Sequence, residues 1–355
     1  MVATTLDMRY KTRELSDSLR EETLLSRVSI VIVTYKGDEV LIGCLASLKA
    51  TCGDEPQIVV VDNSPSDATR EIVSAYPNAV YVESPGNPGF AGGNNRGLPF
   101  CDRDYVLLLN NDTIVKSRQS IERLVAFLET HPSCGVVQGS IVLPKANGMA
   151  GGCGSFLTPF GFQYARGFGV PLDTPGVNVP VCCFSVMGAF MMFPRKILSD
   201  TGFLFYDHFK SYYEESDFCH RVWLAGYEVW YVPTEPIEHL CGYTASMFER
   251  TDIMRQYLRN SFFSLKVNLG FASRLVIVSC YYCVIFVYAV VHLLRGDAKT
   301  FRADLGMFAE IFRLRKEIGL ARRHVHRHVS DLKIFRKMLR LPSLSYLWRS
   351  VRGNV

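Results

Sequence analysis

The sequence predicts an α/β fold in which a mostly parallel sheet is followed by a mixed part and then by a helical region. Up to about residue 130, short runs of β-branched and apolar residues alternate with segments of helical spacing. Strands that alternate with helices in this way form parallel sheets with helices on both faces. The alternation stops at about residue 135, and a long apolar stretch near residue 280 is separate from both parts.

Four strands are predicted in the first part, and the continuous β-branched run of the first suits a strand buried on both faces. They cover 28–35, 57–62, 79–83 and 105–110. Helices are predicted between and after them, over 41–48, 68–76 and 120–130. Residues 86–97 are rich in Gly and Asn, and this composition predicts a loop.

The second part has less regular patterning, which predicts a mixed sheet. Apolar runs predict strands over 134–143, 184–193 and 227–232. A helix is predicted over 217–225, where Gly226 ends it. Residues 148–169 are rich in Gly and Phe without a period, so loops and short edge strands are expected there.

Charge is unevenly distributed along the 355 residues. The net charge is +5, but residues 295–355 hold 15 Lys and Arg against 5 Asp and Glu, so the rest of the chain has a balance of −5. The hydrophobic content of 48% excludes a disordered chain, and the small net charge excludes an acidic surface adapted to high salt. A basic tail on a mildly acidic body indicates contact with phosphate-bearing surfaces.

The 11 cysteines are an odd number without regular pairing, and the two at CxxC spacing, Cys280 and Cys283, lie inside an apolar run. Neither a structural zinc site nor a disulfide framework is therefore predicted, and reduced thiols in a cytosolic setting are expected. Residues 1–27 are polar and lack the apolar segment of a signal peptide, so they are predicted to be an N-terminal extension.

Three polar clusters follow three of the predicted strands. They are Thr34-Tyr35, Asp62-Asn63-Ser64 and Asn110-Asn111-Asp112. Ligands of open parallel sheets bind at the carboxyl ends of the strands, so this recurrence predicts one shared nucleotide site. Each cluster taken alone is also typical of a turn.

The side chains of these clusters have the chemistry of a nucleotide site. The Asp62 carboxylate can accept the ring N–H of uracil or thymine, and Tyr35 can pack on the face of a base. Asp112, with the amide oxygens of Asn110 and Asn111, can hold Mg²⁺ or Mn²⁺ when a diphosphate supplies the other ligands.

The segment 87–97 adds glycines, side-chain amides such as that of Asn94, and the cation Arg96. Glycines permit close approach of the backbone to a ligand, and an arginine can bind phosphate. A flexible surface loop has the same composition, and the Gly-Lys-Ser/Thr of a phosphate-binding Walker loop does not follow.

Glu214, Glu215 and Asp217 stand at the start of the predicted helix 217–225. A carboxylate there can act as a general base on a hydroxyl, although acidic residues are also favoured at any helix N-terminus. His239 follows the strand 227–232, and both a structural role and a metal-ligand role are open for it.

Together these segments resemble the inverting glycosyltransferases of family 2, which have the GT-A fold, and among them the rhamnosyltransferase-type enzymes of polysaccharide assembly. The resemblance covers about residues 28–270 and depends on the ordered set rather than on one motif. The matching segments are Val31-Ile-Val-Thr-Tyr35, Cys44-Leu-Ala-Ser-Leu48, Val59-Val-Val-Asp-Asn-Ser64, Asn87-Pro-Gly-Phe-Ala-Gly-Gly-Asn-Asn-Arg-Gly97, Leu107-Leu-Leu-Asn-Asn-Asp112, Tyr213-Glu-Glu-Ser-Asp-Phe-Cys-His-Arg221, Gly226-Tyr227 and His239-Leu-Cys-Gly242.

The resemblance implies a nucleotide site and a metal site. Asp62 would bind the pyrimidine base, and Asp112 stands at the last position of the family's metal-binding Asp-x-Asp motif, whose first position is Asn110 here. His239 matches a histidine near the metal and the diphosphate. The other residues assigned to nucleotide binding are Thr34, Tyr35, Asn63, Asn94, Arg96 and Asn111.

The resemblance also implies the catalytic residue. Glu215 falls where the family has its catalytic aspartate, with Asp217 and Glu214 as rivals. The implied reaction is a direct displacement that moves a sugar from a UDP- or dTDP-sugar to a hydroxyl of a glycan or polyprenyl-linked glycan. It would need Mg²⁺ or Mn²⁺ and would invert the anomeric centre.

The implied architecture is a GT-A domain over 28–250, with a Rossmann-like nucleotide half over about 28–115 and an acceptor half over about 116–250. A membrane-associating helical region over 251–355 would follow. Nucleic acid is not an expected partner. Three alternatives stay open: a glycoside hydrolase that uses Glu214, Glu215 or Asp217, a non-catalytic membrane-bound scaffold or polysaccharide-binding protein, and a nucleotidyltransferase.

The apolar stretch 271–294 is long enough to span a bilayer. A single span would put the basic tail on the side opposite the nucleotide sugars, against the tendency of Lys and Arg to stay cytosolic. Downstream, Phe301, Leu305, Phe308 and Phe312 recur at helical spacing among basic residues. We therefore expect 271–294 to enter one leaflet at the cytoplasmic face of a membrane. A buried helix and a true span are the alternatives.

Overall fold

The computed structural model of the chain describes residues 23–241 and 249–342. Most of the predicted N-terminal extension and the end of the basic tail lie outside the described residues. The strands are β1 Val28–Thr34, β2 Gln57–Asp62, β3 Ala79–Glu83, β4 Tyr105–Leu109, β5 Thr113–Ile114, β6 Cys134–Gln138, β7 Ile141–Leu143, β8 Met149–Ala150, β9 Ser155–Leu157, β10 Gln163–Ala165, β11 Val181–Cys182, β12 Phe190–Pro194, β13 Glu228–Tyr231 and β14 Ile237–His239.

The helices alternate with strands in the first part and dominate after residue 250. They are α1 Asp38–Cys52, α2 Asp67–Ser74, α3 Gly89–Gly97, α4 Gln119–Thr130, α5 Ile197–Thr201, α6 Glu214–Leu224, α7 Arg250–Asn268, α8 Phe271–Leu294, α9 Ala298–Arg313, α10 Arg315–Ala321 and α11 Asp331–Met338. Short 3₁₀ turns include Leu25–Arg27 and Asp207–Phe209.

Within the described residues, the main sheet has eight strands in the order β11-β13-β6-β12-β4-β1-β2-β3. Strands β4, β1, β2 and β3 are mutually parallel, whereas β12 runs antiparallel to both of its neighbours. A smaller sheet has the order β5-β14-β7-β8. The predicted α/β fold, parallel first and mixed afterwards, is therefore confirmed.

Both faces of β1, β2 and β4 are buried, which explains their continuous apolar sequences, whereas the edge strand β3 is only partly buried. Val31 of β1 packs with Val59 on one face, while Ile30 and Ile32 pack with Val60 on the other. The side chains of consecutive strand residues point to opposite faces. A strand covered by helices on both faces therefore needs an apolar residue at nearly every position.

The loop predicted over 86–97 is wrong, because Gly89–Gly97 forms helix α3. Gly and Asn are poor helix formers, but the glycines here allow the helix to approach the sheet closely. A Cβ atom at Gly93 would lie 2.6 Å from Val33 Cγ1, and one at Gly97 would lie 2.8 Å from Val31 Cγ1. Tertiary packing therefore decides this helix against its local propensity.

Two predicted strands are shorter or divided in the structure. The run 134–143 breaks at Gly139 and Ser140, so that β6 belongs to the main sheet and β7 to the smaller one. The run 184–193 is a strand only in its last part, as β12. An apolar run shows that a segment is buried but not where its hydrogen-bonded pairing begins.

The helices after residue 250 pack on the main domain and on each other. Phe263 and Val267 of α7 join the hydrophobic core beneath the main sheet. Ile277 and Tyr281 of α8 pack instead on α7. Within the described residues, α8 is the one helix whose length and apolar composition suit a membrane span. The domain boundary at residue 250 stays a prediction.

Candidate functional site

A cleft of about 570 Å³ opens where β1 and β4 of the main sheet end. Its walls come from the polar clusters after these strands, from residues 187–189 before β12, from the segment 210–215 and from α7. The site predicted at the carboxyl ends of the parallel strands therefore coincides with a real cavity, as expected for an open α/β sheet.

The end of β1 forms one wall of the cleft with its neighbours. Thr34, Tyr35, Asn63, Asn110 and Asn111 all line it, as the sequence predicted. Asn111 Nδ2 donates to Thr34 Oγ1 at 3.0 Å, and the backbone N–H of Asn63 donates to the Thr34 carbonyl at 2.8 Å. These bonds fix the three strand ends relative to one another. Their role in nucleotide binding stays a prediction.

Asp62 lies behind this wall rather than on it. Its side chain is fully buried, with Oδ1 accepting from the Ser64 backbone N–H at 2.8 Å and Oδ2 accepting from the Tyr81 hydroxyl at 3.0 Å. The bond from the Ser64 backbone N–H shows that Asp62 forms the turn that was the alternative interpretation of this polar cluster. Contact with a pyrimidine base, which stays a prediction, would require Asp62 to exchange its bond to Tyr81 or Ser64.

Asn94 and Arg96 of α3 do not reach the cleft either. Asn94 is buried in the helix and donates to the Phe90 carbonyl at 2.9 Å. Arg96 is exposed, and its guanidinium donates to Ser84 Oγ at 2.7 Å. Phe90 and Gly89, by contrast, line the cleft. The contribution of this segment to the cleft wall comes from the N-terminus of α3, not from its polar side chains.

Asp112 and His239 form a buried pair on the cleft wall. His239 Nε2 lies 3.1 Å from Asp112 Oδ1 and 3.1 Å from Asn110 Nδ2, and its Nδ1 lies 3.1 Å from Cys241 Sγ. Burial opposes protonation of the imidazole, but the hydrogen bonds to Asp112 and Cys241 outweigh it and raise the pKa of His239 to about 9. Asp112 and His239 therefore hold a close carboxylate–imidazole contact.

A divalent cation held by Asp112 and His239 would replace the Nε2 proton of the imidazole, because a metal-bound histidine is neutral. Two donors at right angles on an octahedral Mg²⁺ stand about 3 Å apart, which agrees with the observed separation. Among the described residues, no group of three His, Cys, Asp or Glu is clustered to enclose a metal by itself. A cation here would therefore take its remaining ligands from a bound diphosphate or from water.

Glu214 and Glu215 enter the cleft at the start of α6. Glu215 is half-buried, and burial raises the pKa of its carboxyl to about 7. Glu214 is buried, its Oε2 has no hydrogen-bond partner among the described residues, and burial followed by repulsion from Glu215 raises its pKa well above the ordinary value. A carboxylate with a pKa near neutrality is well matched to general-base chemistry.

The structure does not bring Asp217 to the cleft. Its two oxygens accept from Arg221 Nε at 2.9 Å and from Asn268 Nδ2 at 2.7 Å, and all three side chains are buried. A carboxylate whose oxygens are held in this way ties α6 to α7 instead of facing a substrate. The geometry therefore favours Glu215 over Asp217 as a base, and the catalytic assignment itself stays a prediction.

Sequence reasoning did not find the wall that α7 contributes. The cleft is lined from this helix by Asp252, Ile253, Gln256 and Tyr257. No sequence motif indicated these residues. Met187 and Gly188, also on the wall, lie in a segment for which the sequence predicted only a strand. These residues come together through packing between parts of the chain that are distant in sequence.

Part of the chain that forms this cleft is similar in sequence to a known protein family. Residues 29–198 match the family described as Glycosyl transferase family 2. The low-salt glycan biosynthesis hexosyltransferase Agl10 of Haloferax volcanii is 31% identical over 57% of this chain and 63% of its own length. The O-antigen chain rhamnosyltransferase WbaN of Salmonella anatum is 23% identical over 53% of this chain and 58% of its own length. The match thus spans less than two thirds of either relative.

A solved structure shows the same fold. The crystal structure of GalNAc-T7 with UDP, GalNAc and Mn²⁺ superposes with a TM-score of 0.51 at 15% identity, covering 68% of this chain and 47% of that one. The sheet order, the cleft at the strand ends and the family match agree with one another. Residues 29–198 of the chain therefore match glycosyl transferase family 2 on a GT-A fold, and the relatives to which the chain is similar include a rhamnosyltransferase.

Proposed function

We propose that the chain transfers a sugar from UDP or dTDP to a hydroxyl of a glycan or polyprenyl-linked glycan, with inversion at the anomeric carbon. One observation supports this most directly: Glu215 shares a single cleft with the Asp112–His239 pair. Displacement of a nucleoside diphosphate needs a base for the attacking hydroxyl and compensation of charge on the leaving group. The cleft offers residues for both.

Glu215 is the proposed base. It accepts the proton of the acceptor hydroxyl as the oxygen attacks the anomeric carbon, and the bond from that carbon to the diphosphate oxygen breaks. Its raised pKa makes it a stronger base than an exposed carboxylate while leaving a large deprotonated fraction at neutral pH. Because a single displacement has one attack on the anomeric carbon, the configuration inverts.

Asp112 and His239 are the proposed metal ligands. A bound Mg²⁺ or Mn²⁺ would offset the negative charge on the departing diphosphate. GalNAc-T7 holds Mn²⁺ together with UDP, which supports a divalent cation for this fold. Cys241, at 3.1 Å from His239 Nδ1, orients the imidazole so that Nε2 points to Asp112.

The hydrolase alternative has less support in the geometry. A glycoside hydrolase needs two carboxyl groups that flank the glycosidic bond. Glu214 and Glu215 enter the cleft as neighbours at the start of one helix, and Asp217 is held by Arg221 and Asn268. A hydrolase would also leave the Asp112–His239 pair without a use. A scaffold would need neither that pair nor a carboxyl with a raised pKa at the cleft.

The test is a screen of UDP-, dTDP- and GDP-sugars with the full chain, with Mg²⁺ or Mn²⁺ or with a chelator. Release of nucleoside diphosphate that needs the metal and is lost in Glu215→Gln is the expected result. Release from none of the donors, in the presence of glycan acceptors and membrane lipid extract, would contradict the proposal.

A further inference from the structure

The outward face of helix α8 is apolar and exposed. One side of the helix, including Ile277 and Tyr281, packs on α7. The other side presents large apolar side chains to solvent: Phe271, Leu275, Val276, Phe286, Val287, Leu293 and Leu294. These residues, called the α8 face here, extend over a helix of 24 residues, or about 36 Å. Soluble surfaces rarely expose an apolar patch of this extent.

The neighbours of α8 argue against a helix that crosses the bilayer. It packs on both α7 and α9, which also contact each other through an ion pair, with Arg259 Nε 3.0 Å from Glu310 Oε1. Lys266 of α7 is also beside α8, because its Nζ lies 5.8 Å from the centroid of the Phe262 ring, which packs on Tyr281 and Tyr282 of α8. A span would carry these charges into hydrocarbon at high cost.

The charges around the α8 face suit an anionic surface. Arg274 lies in its first turn and Arg295 directly follows its last residue. Beyond it, exposed basic side chains continue at Arg302, Arg313, Arg315 and Lys316. The Arg315 guanidinium lies over the exposed Phe312 ring, 4.2 Å from its centroid. Apolar surface flanked by arginines is the pattern of a helix that lies in the interfacial layer.

We infer that the α8 face binds the surface of an anionic membrane and enters one leaflet without crossing it. Because α7 supplies both a wall of the cleft and the packing partner of α8, membrane binding would hold the cleft near the lipid surface. The cytoplasmic side is implied by the proposed function, since nucleotide sugars are cytosolic. The binding itself does not depend on any activity.

The test is flotation of the full chain with vesicles of phosphatidylcholine alone or with added phosphatidylglycerol. Flotation with the anionic vesicles, weakened by salt, is expected. Val276→Glu and Val287→Glu should each reduce the bound fraction about tenfold, because each removes one large apolar contact with the lipid. Ile42→Glu is the matched control: Ile42 is 49% exposed on α1, distant from α8, and should not matter.

Three outcomes would overturn this inference. The first is equal flotation of Val276→Glu and the unsubstituted chain. The second is a dimer in solution that Val276→Glu dissociates while vesicles bind neither protein, which would make the face a contact between copies. The third is labelling of a cysteine introduced near residue 340 only from the non-cytosolic side of sealed cells, which would establish a span.

A second inference rests on a different observation, the backbone that leads into Glu215. Lys210, Tyr212 and Tyr213 have φ angles of 58°, 69° and 75°. Non-glycine residues avoid this region, and several of them so close together persist only where the surroundings hold the chain. Tyr213 directly precedes α6, whose first residues are Glu214 and Glu215. The turn 209–213 therefore sets the position of both carboxylates.

Two side-chain amides of α7 hold this turn. Gln256 Nε2 lies 2.8 Å from the Phe209 carbonyl and 2.7 Å from the Ser211 carbonyl. Asn260 Nδ2 lies 2.9 Å, 3.1 Å and 2.7 Å from the carbonyls of Phe209, Ser211 and Tyr212. The carbonyls of Phe209, Ser211 and Tyr212 therefore point at α7. On the opposite side, the backbone N–H of Ala91 donates to the Lys210 carbonyl at 2.7 Å.

We infer that Gln256 and Asn260 are positioning residues that hold the turn 209–213 and thereby place Glu215. This inference rests on the proposed role of Glu215 as the base. It makes α7, which lies outside the matched family segment 29–198, a structural part of the catalytic site.

The test uses Gln256→Met, which keeps the length of the side chain and removes its donors, with the exposed Gln119→Met as control. Amide hydrogen exchange in 209–213 should become faster in Gln256→Met only. Its kcat should fall about tenfold or more with donor Kd unchanged, as expected when a catalytic group is misplaced. In a Lys210→Gly background the loss should be smaller, because glycine adopts a positive φ without strain.

The outcomes separate this inference from the proposed function. Unchanged amide hydrogen exchange of 209–213 in Gln256→Met would overturn the inference on Gln256 and Asn260. An equal loss of kcat on Gln256→Met in the unsubstituted and Lys210→Gly backgrounds would also overturn it. If amide exchange is faster in Gln256→Met but the unsubstituted chain transfers no sugar, the role of Gln256 in holding the turn 209–213 is supported and the proposed function is contradicted.

Discussion

Asp112 Oδ1 lies 3.1 Å from His239 Nε2 because two short strands pair antiparallel. His239 of β14 is in register with Thr113 of β5, and the backbone N–H of Leu240 donates to the Asp112 carbonyl at 2.9 Å. The smaller sheet therefore joins the residues that follow β4 to β14, which is more than 100 residues away in the sequence. The two proposed metal ligands are fixed by backbone hydrogen bonds rather than by flexible loops.

Asp112→Ala should remove most metal-dependent activity while the fold stays intact. The change deletes the one carboxylate at the proposed cation, and the imidazole alone would not hold a hard metal ion. Nucleoside diphosphate release and the circular dichroism spectrum measure the two effects. Asp54→Ala, in a surface ion pair with Lys49 on the far end of α1, is the control. Near-normal turnover of Asp112→Ala would place the metal elsewhere.

Glu215→Gln should lower kcat by about 100-fold or more, since positioned bases contribute 10²–10⁴. The amide keeps the shape of the side chain and loses its basicity, so donor binding should remain. Single-turnover transfer and calorimetric titration with UDP separate the two. Asp217→Asn is the comparison, and its expected effect is on stability through Arg221. Loss of turnover in Asp217→Asn alone, with the fold retained, would move the base to Asp217.

The kcat/KM of transfer should rise with pH and level off above about 7. Burial raises the pKa of Glu215 to about 7, and only its deprotonated form can accept the hydroxyl proton. Activity is therefore lost as the pH falls through that value, not as it rises. A rate profile between pH 5 and 9, in buffers of constant ionic strength, measures this. A midpoint near 4.5 would mean that the base is an exposed carboxylate.

UDP or dTDP should stabilise the chain against heat more than GDP does. This follows from the proposed contact of Asp62 with a pyrimidine ring, for which Asp62 exchanges its bond to Tyr81. A thermal-shift panel of the three nucleotides with Mn²⁺ tests it. Asp62→Asn should reduce the discrimination. Stabilisation by GDP alone would exclude a pyrimidine donor.

Gly89→Ala should destabilise the fold by about 2–4 kcal/mol and lower activity. Gly89 has φ +78°, and an added Cβ would collide with the carbonyl of Lys210 in the turn that precedes Glu215. Gly86→Ala is a matched control, because Gly86 has φ +85° but open space around it, so about 1 kcal/mol of backbone strain is expected. Urea unfolding measures both. Equal costs would show that the contact with Lys210 does not matter.

The order of strands and helices up to residue 130 follows from local sequence. The strand runs Gln57–Asp62 and Ala79–Glu83 have the bounds predicted from their β-branched and apolar residues. The polar clusters at the strand ends were likewise predicted from local sequence. Helix α3 was not predicted. Its glycines are explained by their close approach to Val33 and Val31, and a local sequence pattern does not reveal such distances.

The sequence by itself indicated the resemblance to the family, the parallel sheet and the set of polar residues from which the site is drawn. Only the tertiary structure decided which of them meet. It brings Asp112 to His239, places Glu215 on the cleft, and turns Asp217 to Arg221 and Asn268. It also brings Gln256 and Asn260 of α7 to the turn before Glu215. These contacts join segments far apart in the chain, and their partners are chosen by packing and burial rather than by neighbouring residues.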